Sequence, residues 1–187
     1  MSPTMNSSTP SVRVLTLPGW QNSDAGHWQS RWDLRYGHQR VQQHDWQRPL
    51  RGDWNIQLEE AVLASEQPVV LVAHSLGCIH AAAWAAHSRQ TGRVRAALLV
   101  APPDTERDDL RHMLPGWSPI ARQPLPFASV VVASDNDPYA SPAHSQQLAA
   151  AWGSRLHRVG ACGHINTASD VGDWPEGYAL LQELLKA

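Results

Sequence analysis

The stretch "PVVLVAHSLGC", residues 68–78, decides how this chain folds. It starts as a continuous apolar run, which is typical of a parallel strand covered on both faces. From Leu76 onward it passes into the alanine-rich segment "LGCIHAAAWAA", whose residues favour a helix. The sequence therefore predicts a buried strand that turns sharply into a helix at Ser75.

Other short apolar runs alternate with helical patterns along the rest of the chain. The predicted strands are 12–17, 39–46 (a weak edge strand), 68–73, 94–101, 128–134 and 154–160. The predicted helices are 24–35, 54–65, 76–89, 142–152 and 175–186. This alternation predicts an α/β fold, a single three-layer domain with a mostly parallel sheet of about six strands. We expect residues 12–187 to form that domain and the polar residues 1–11 to form a disordered tail.

Composition and charge argue against several classes of function. The formal net charge of the 187 residues is −2, so nothing favours a nucleic acid or an anionic membrane as partner. No apolar stretch reaches the roughly eighteen residues that a membrane span needs, and residues 1–11 do not resemble a secretory signal. Cys78 and Cys162 have no histidine at zinc-ligand spacing, so no metal is predicted. A cytoplasmic location is expected, although the sequence leaves a disulfide between the two cysteines open.

The run Ala73-His74-Ser75-Leu76-Gly77 places small residues two positions before and two after a serine. This pattern indicates a nucleophile elbow, in which the serine occupies a strained turn between strand and helix. The turn exposes the hydroxyl and directs the amide of Leu76 to the same space, so Leu76 is a predicted oxyanion-hole donor. His74 is predicted to orient or pack rather than to act as a base. The alternative interpretation is that Ser75 only caps the helix.

The residue types that activate a serine follow later strands in the expected order. Asp135 and Asp137 come after the fifth predicted strand, and His164 comes after the sixth. Proteins with this elbow carry their acid and histidine in that chain order. We predict that His164 takes the proton of Ser75 and that Asp137, which lies deeper in its loop, orients His164. Asp135 is the alternative acid.

The segment "LPGWQNSD", residues 17–24, is predicted to supply a second oxyanion-hole donor. Gly19 lets the backbone approach closely, so the amide of Trp20 is the predicted donor and that of Gln21 the alternative. The ring of Trp20 is also predicted to bind substrate.

The proline-rich segment 102–127 is predicted to lean over the same site. Its Trp117 has two interpretations of equal weight. One makes it a second substrate-binding residue in an apolar acyl pocket. The other makes it an anchor for the segment.

Several motifs together point to a family. The strings "LPGW", "VVLVAHSLGC", "SDNDPY", "GHIN" and "WPEG" resemble those of the small lidless α/β-hydrolases that include retinoblastoma-binding protein 9 and bacterial YdeN-like serine hydrolases. The resemblance runs from about Val12 to the C-terminus. It implies the α/β-hydrolase fold without a large cap domain, a triad of Ser75, Asp137 and His164, and a cytosolic enzyme with esterase or aminopeptidase-like activity. Ala73 departs from the glycine that the wider superfamily prefers. The Leu-x-Cys-x-Glu motif, for whose contact with the retinoblastoma protein the vertebrate member is named, does not occur in this sequence, so no such contact is expected.

The leading hypothesis is a carboxylesterase-like serine hydrolase. It would cleave small acyl esters, or thioesters or amides, through an acyl-enzyme and without a cofactor. One alternative is a protein-binding module on a hydrolase fold, which the surplus of tryptophan (9 residues) favours. Another is an acyltransferase that uses the same nucleophile. A small-molecule acyl substrate is predicted, and a protein partner is left open.

Overall fold

A parallel sheet of six strands forms the centre of the molecule. The computed structural model describes residues 11–187. Its strands are β1 (Arg13–Leu17), β2 (Gln39–Arg40), β3 (Val69–His74), β4 (Val94–Val100), β5 (Ala128–Ala133) and β6 (Arg155–Arg158). They lie in the order β2-β1-β3-β4-β5-β6, and every neighbouring pair is parallel. The predicted α/β fold is confirmed, whereas the predicted tail lies outside the described residues except for Ser11.

Helices cover both faces of this sheet. They are α1 (Trp28–Tyr36), α2 (Arg51–Leu63), α3 (Leu76–Ala85), α4 (Asp108–Met113), α5 (Pro142–Trp152) and α6 (Pro175–Lys186). Helices α2, α3 and α5 share one apolar core, and α1 and α6 share another on the opposite face. Successive residues of β3 alternate between the two cores, Leu71 facing the first and Val72 the second, because side chains alternate along a strand. All six residues of β3 are buried, as the apolar run predicted.

Several element boundaries differ from the predictions. The edge strand β2 has only two residues, and α1 begins at Trp28 because the ring of His27 accepts a hydrogen bond from the Gln29 amide and caps it. Helix α3 ends at Ala85 instead of residue 89. Helix α4 was not predicted; acidic residues in its first turn and basic residues in its last turn stabilise it.

The connections between strands leave the carboxyl edge of the sheet open. Residues 101–127, which connect β4 to β5, hold only the six-residue helix α4. Every other connection between consecutive strands within residues 11–187 holds one longer helix of the two layers, so the described residues contain no cap domain. No helix in the same range combines the length and the apolar character needed to cross a membrane. Cys78 is buried, Cys162 is half-buried, and both are free thiols.

Candidate active site

Ser75 occupies the corner between β3 and α3. Its backbone has φ 55° and ψ −127°, a left-handed conformation that is strained for any residue with a side chain. The Ser75 amide donates to the carbonyl of Val100 at 2.9 Å, which fixes the corner to β4. The Ser75 side chain makes no capping hydrogen bond to α3, so the interpretation as a helix cap fails.

Gly77 and Ala73 show why small residues flank the serine. A Cβ on Gly77 would lie 2.1 Å from the carbonyl oxygen of Leu17, so no larger residue fits without moving β1. Ala73 is fully buried, and its methyl group is accommodated in the core beside Leu71. The departure from glycine at residue 73 therefore leaves the corner intact.

The structure brings Ser75, His164 and Asp137 into one hydrogen-bonded chain. Nε2 of His164 lies 2.8 Å from Oγ of Ser75, and Nδ1 of His164 lies 2.9 and 3.0 Å from the two carboxylate oxygens of Asp137. The side chains of His164 and Asp137 are 8% and 3% exposed, so the pair is shielded from water. Because an ionised carboxylate has no proton to donate, Nδ1 of His164 carries the proton of that hydrogen bond. Nε2 is then free to accept the serine proton.

Asp135, the alternative acid, lies elsewhere. Its Oδ1 accepts a hydrogen bond from Nε of Arg158 at 2.9 Å on the exposed side of the sheet edge. Its amide donates to the carbonyl of Gly160 at 2.8 Å. Asp137 instead turns inward, with the Tyr139 amide donating to its Oδ1 at 2.9 Å.

Two polar side chains that the sequence predictions missed join the acid loop to the histidine loop. Oδ1 of Asn136 accepts from Oγ of Ser134 at 3.0 Å and from the amide of Gly163 at 2.7 Å. Oγ of Ser134 in turn accepts from the amide of Cys162 at 2.8 Å. These bonds hold Asp137 and His164 in register. The run "SDND" directly after a strand was the available signal, since such polar residues favour turns that bond to the backbone.

His74 and His27 form a row of rings with His164. Nε2–H of His74 donates to the carbonyl of His164 at 2.9 Å, and the two rings lie 4.9 Å apart. The ring of His27 lies 4.6 Å from that of His74. Burial lowers the pKa of His74 well below its usual value and lowers the pKa of His27 to about 4, although Asp24 acts in the opposite direction on His27. Both rings are therefore neutral at neutral pH. The orienting role expected of His74 agrees with these contacts, whereas no sequence pattern pointed to His27.

Two backbone amides stand free beside the serine. Within residues 11–187, neither the Trp20 amide nor the Leu76 amide has a hydrogen-bond partner. The loop that carries Trp20 touches the corner, since a Cβ on Gly19 would lie 2.8 Å from Cβ of Ser75 and 3.2 Å from the Leu76 nitrogen. The Gln21 amide donates to the carbonyl of Trp46 at 3.0 Å, so it is not free to serve as the alternative donor.

A cavity of about 570 Å³ opens above Ser75, a volume typical of small-ligand sites. Its apolar wall comes from side chains of three loops and α4, namely Trp20, Pro103, Leu110, Leu114 and Tyr139. Its polar wall comes from Asn22, Asp24, Asn166 and Thr167. The indole N–H of Trp20 donates to the carbonyl of Gln47 at 2.8 Å, which fixes the ring against the cavity.

Trp117 lies outside this cavity. Its ring is fully buried in the core beside Trp54, and its indole N–H donates to the carbonyl of Pro49 at 2.9 Å. The carbonyl of Trp117 also accepts a hydrogen bond from Oγ1 of Thr105 at 2.8 Å. The prediction that Trp117 binds substrate is therefore wrong, and the alternative interpretation as an anchor fits the contacts. Leu110 and Leu114, from the same segment, line the cavity instead of Trp117.

The described residues offer no site for a metal ion. Within residues 11–187, no three side chains of histidine, cysteine, aspartate or glutamate come together in an arrangement that could hold one. A hydroxyl, an imidazole, a carboxylate and free backbone amides are the groups that nucleophilic acyl chemistry requires.

Comparison with known proteins places the chain in a family. The family model described as "Serine hydrolase" matches residues 14–183. No curated protein matches significantly. A protein from Pectobacterium atrosepticum named as a YdeN-like hydrolase is 31% identical, with 93% of this chain and 90% of that chain covered and a TM-score of 0.81.

Two further solved structures share the fold. The ydeN gene product from B. subtilis is 21% identical, with 95% of this chain and 100% of that chain covered and a TM-score of 0.76. Est1E from Butyrivibrio proteoclasticus, solved with ferulic acid bound, is 11% identical, with 97% of this chain and 91% of that chain covered and a TM-score of 0.71. The resemblance read from the sequence motifs is confirmed, and the chain belongs to the serine hydrolase family with the α/β-hydrolase fold.

Proposed function

We propose that this protein is a carboxylesterase-like hydrolase that cleaves small acyl esters through an acyl-enzyme on Ser75. The observation that carries the proposal is the unbroken hydrogen-bond chain from Oγ of Ser75 through His164 to Asp137. Thioesters and amides are open to the same chemistry. Burial of that chain strengthens each of its electrostatic interactions.

The proposed reaction begins when Oγ of Ser75 attacks the acyl carbon and Nε2 of His164 takes the serine proton. The carbonyl oxygen becomes an oxyanion, which accepts hydrogen bonds from the amides of Leu76 and Trp20. Asp137 stabilises the imidazolium that forms on His164. His164 then returns the proton to the alcohol that leaves. A water molecule, activated by the same ring, hydrolyses the acyl-enzyme and restores the serine.

The cavity supports a small substrate with an apolar acyl group. Leu110, Leu114 and the ring of Trp20 offer apolar surface in the cavity that Ser75 also lines. The polar wall, which includes Asn22 and Asn166, is suited to the alcohol portion of the ester or to water.

The proposed location is the cytoplasm, because a reducing compartment is the simpler explanation for a chain with only two cysteines.

The alternative of a binding module loses its main support. Seven of the nine tryptophans are buried, among them Trp28, Trp54 and Trp84. The tryptophan surplus therefore builds the two cores, and it does not form an exposed aromatic recognition surface.

A fluorophosphonate probe tests the proposal, because it reacts only with an activated serine. We expect the wild-type protein to be labelled at Ser75, as located by peptide mass spectrometry, and Ser75→Ala to remain unlabelled. Ser88→Ala is the matched control, since Ser88 follows the far end of α3 and bonds to Glu59 at a distance from the cavity. An unlabelled wild-type protein would reject the proposal. Product analysis with added alcohols would separate hydrolysis from acyl transfer.

A further inference from the structure

The loop that carries the Trp20 amide is strained. Gln21 and Asn22 both have φ 67°, a left-handed conformation that residues other than glycine adopt rarely. Two consecutive residues in this conformation persist only where surrounding contacts hold them. The strain lies directly after the proposed oxyanion-hole donor, so whatever holds the loop also determines where that amide points.

Arg40, on the edge strand β2, holds the loop from behind. Its Nη1 donates to Oδ1 of Asn22 at 3.1 Å and to the carbonyl of Ser23 at 3.0 Å. Its Nη2 donates to Oγ of Ser30 at 2.8 Å, and that hydroxyl donates to the same Ser23 carbonyl at 3.0 Å. Nε of Arg40 donates to Oδ2 of Asp33 at 3.0 Å, which fixes the guanidinium plane. The Arg40 side chain is 15% exposed and does not line the cavity.

Gln29 holds the same loop from the side of the sheet. It is fully buried, and its Oε1 accepts from Oγ of Ser23 at 2.7 Å. Its Nε2 donates to the carbonyl of Val72 in β3 at 3.0 Å and to that of Leu17, the last residue of β1, at 3.3 Å. Ser23 is thus held through its side chain by Gln29 and through its carbonyl by Arg40.

We propose that Arg40 is a positioning residue that keeps residues 19–23 in the conformation in which the Trp20 amide serves the oxyanion hole. The inference rests on the proposed function. A guanidinium is suited to this task because its rigid fork of donors can bond to Asn22, Ser23 and Asp33 at once. Arg40 acts on the transition state through the loop and does not touch the substrate.

Arg40→Met and Asp33→Asn separate positioning from simple stability. Both remove the ion pair between Arg40 and Asp33, but only Arg40→Met removes the bonds to Asn22 and Ser23. With para-nitrophenyl acetate we expect Arg40→Met to lower kcat about tenfold or more, with KM changed less than about threefold, because the lost donor acts on the transition state. Asp33→Asn is expected to stay within about twofold of wild type, because its amide oxygen still accepts a hydrogen bond from Nε of Arg40 and keeps the guanidinium in place. Arg155→Met, which breaks the Arg155–Glu183 pair at the opposite edge of the sheet, is the matched control.

Equal kcat values for Arg40→Met and Asp33→Asn would overturn the inference, as would a loss confined to KM. If Arg40→Met fails to fold, the double variant Asp33→Asn/Arg40→Met removes both charges together, and the same loss of kcat is expected of it. Labelling of Ser75 in the wild type keeps the two proposals apart. A reactive Ser75 with an unaffected Arg40→Met rejects this inference alone, whereas an unreactive wild type rejects the proposed function.

Discussion

Asp137 and Asp135 lie two residues apart and face different surroundings. Asp137 is buried against His164, and Asp135 is paired with Arg158 at the exposed edge of β6. We expect Asp137→Asn to lower kcat by about 10³–10⁴-fold with little change in fold, because the amide no longer stabilises the imidazolium of His164 or holds its tautomer. Ester hydrolysis measured at saturating substrate checks this. Asp135→Asn is the control, and a comparable loss in that variant would show that the wrong carboxylate has been assigned.

Residue identity and chain order were enough to predict which serine and histidine come together in the structure, and which loop brings a carboxylate to that histidine. They were not enough to derive the direction in which each carboxylate turns. That direction depends on Arg158 from the next strand and on the bonds that Asn136 makes to Gly163, which are contacts between loops. For the same reason His27 was missed, since its place beside His74 arises only when α1 packs on the sheet.

Gly77 sets a steric limit at the corner. A Cβ there would lie 2.1 Å from the Leu17 carbonyl oxygen, a contact between two backbone segments that cannot be relieved by a rotamer change. We expect Gly77→Ala to lower the free energy of unfolding by about 1–3 kcal/mol or more, as overpacking does. Urea unfolding measures the effect. Gly92→Ala, where a Cβ has nothing within 4 Å, should change stability by no more than about 0.5 kcal/mol. Equal midpoints for the two variants would contradict this account of the elbow.

At the scale of elements, the strands were predictable and the long connections were not. The apolar runs of β3, β4 and β5 are buried on both faces, so each run alone contains the signal for its strand. The segment between β4 and β5 folds through contacts with distant residues, such as that from Trp117 to Pro49. Local composition does not indicate such a contact. The sequence therefore could not decide whether Trp117 binds substrate or anchors the segment, and the structure does.

Trp117 and Leu114 are expected to have opposite effects, although they lie three residues apart. Trp117→Phe keeps an aromatic ring but leaves the Pro49 carbonyl without its donor, so we expect a loss of about 1–3 kcal/mol in the free energy of unfolding. Its preference among acyl chain lengths should not change. Leu114→Ala removes part of a side chain that lines the cavity and so enlarges the cavity, which should shift the preference toward longer acyl chains.

The measurement is kcat/KM for para-nitrophenyl esters of increasing acyl length, combined with urea unfolding of both variants. A changed chain-length profile in Trp117→Phe would return that residue to the substrate site. An unchanged profile in Leu114→Ala would show that Leu114 does not belong to the acyl pocket.

For the whole molecule, buried histidines link stability to pH. His27 and His80 are both nearly inaccessible to water, and burial lowers the pKa of each to about 4. Burial also lowers the pKa of His74 well below its usual value. In the unfolded chain these histidines have a pKa of about 6.5, so between about pH 6.5 and pH 4 only the unfolded chain takes up their protons. The contribution of these histidines to the free energy of unfolding is therefore fully present above about pH 6.5 and is lost as the pH falls toward 4.

The free energy of unfolding should fall by up to about 1.4 kcal/mol per pH unit for each such histidine in this window. Urea unfolding at about pH 7.5, 6 and 5 measures the slope. Carboxylates act at lower pH: hydrogen bonds from Arg122 lower the pKa of Glu106 to about 2, so its contribution is lost only below about 4.5. Between about pH 6.5 and 4.5 the buried histidines therefore make stability rise with pH, whereas Asp33, whose pKa is raised by burial, acts in the opposite direction where it takes up its proton. His80→Gln keeps a donor for the Trp54 carbonyl but cannot ionise, so it should reduce the slope by about one proton, and a slope that stays unchanged would show that His80 does not contribute.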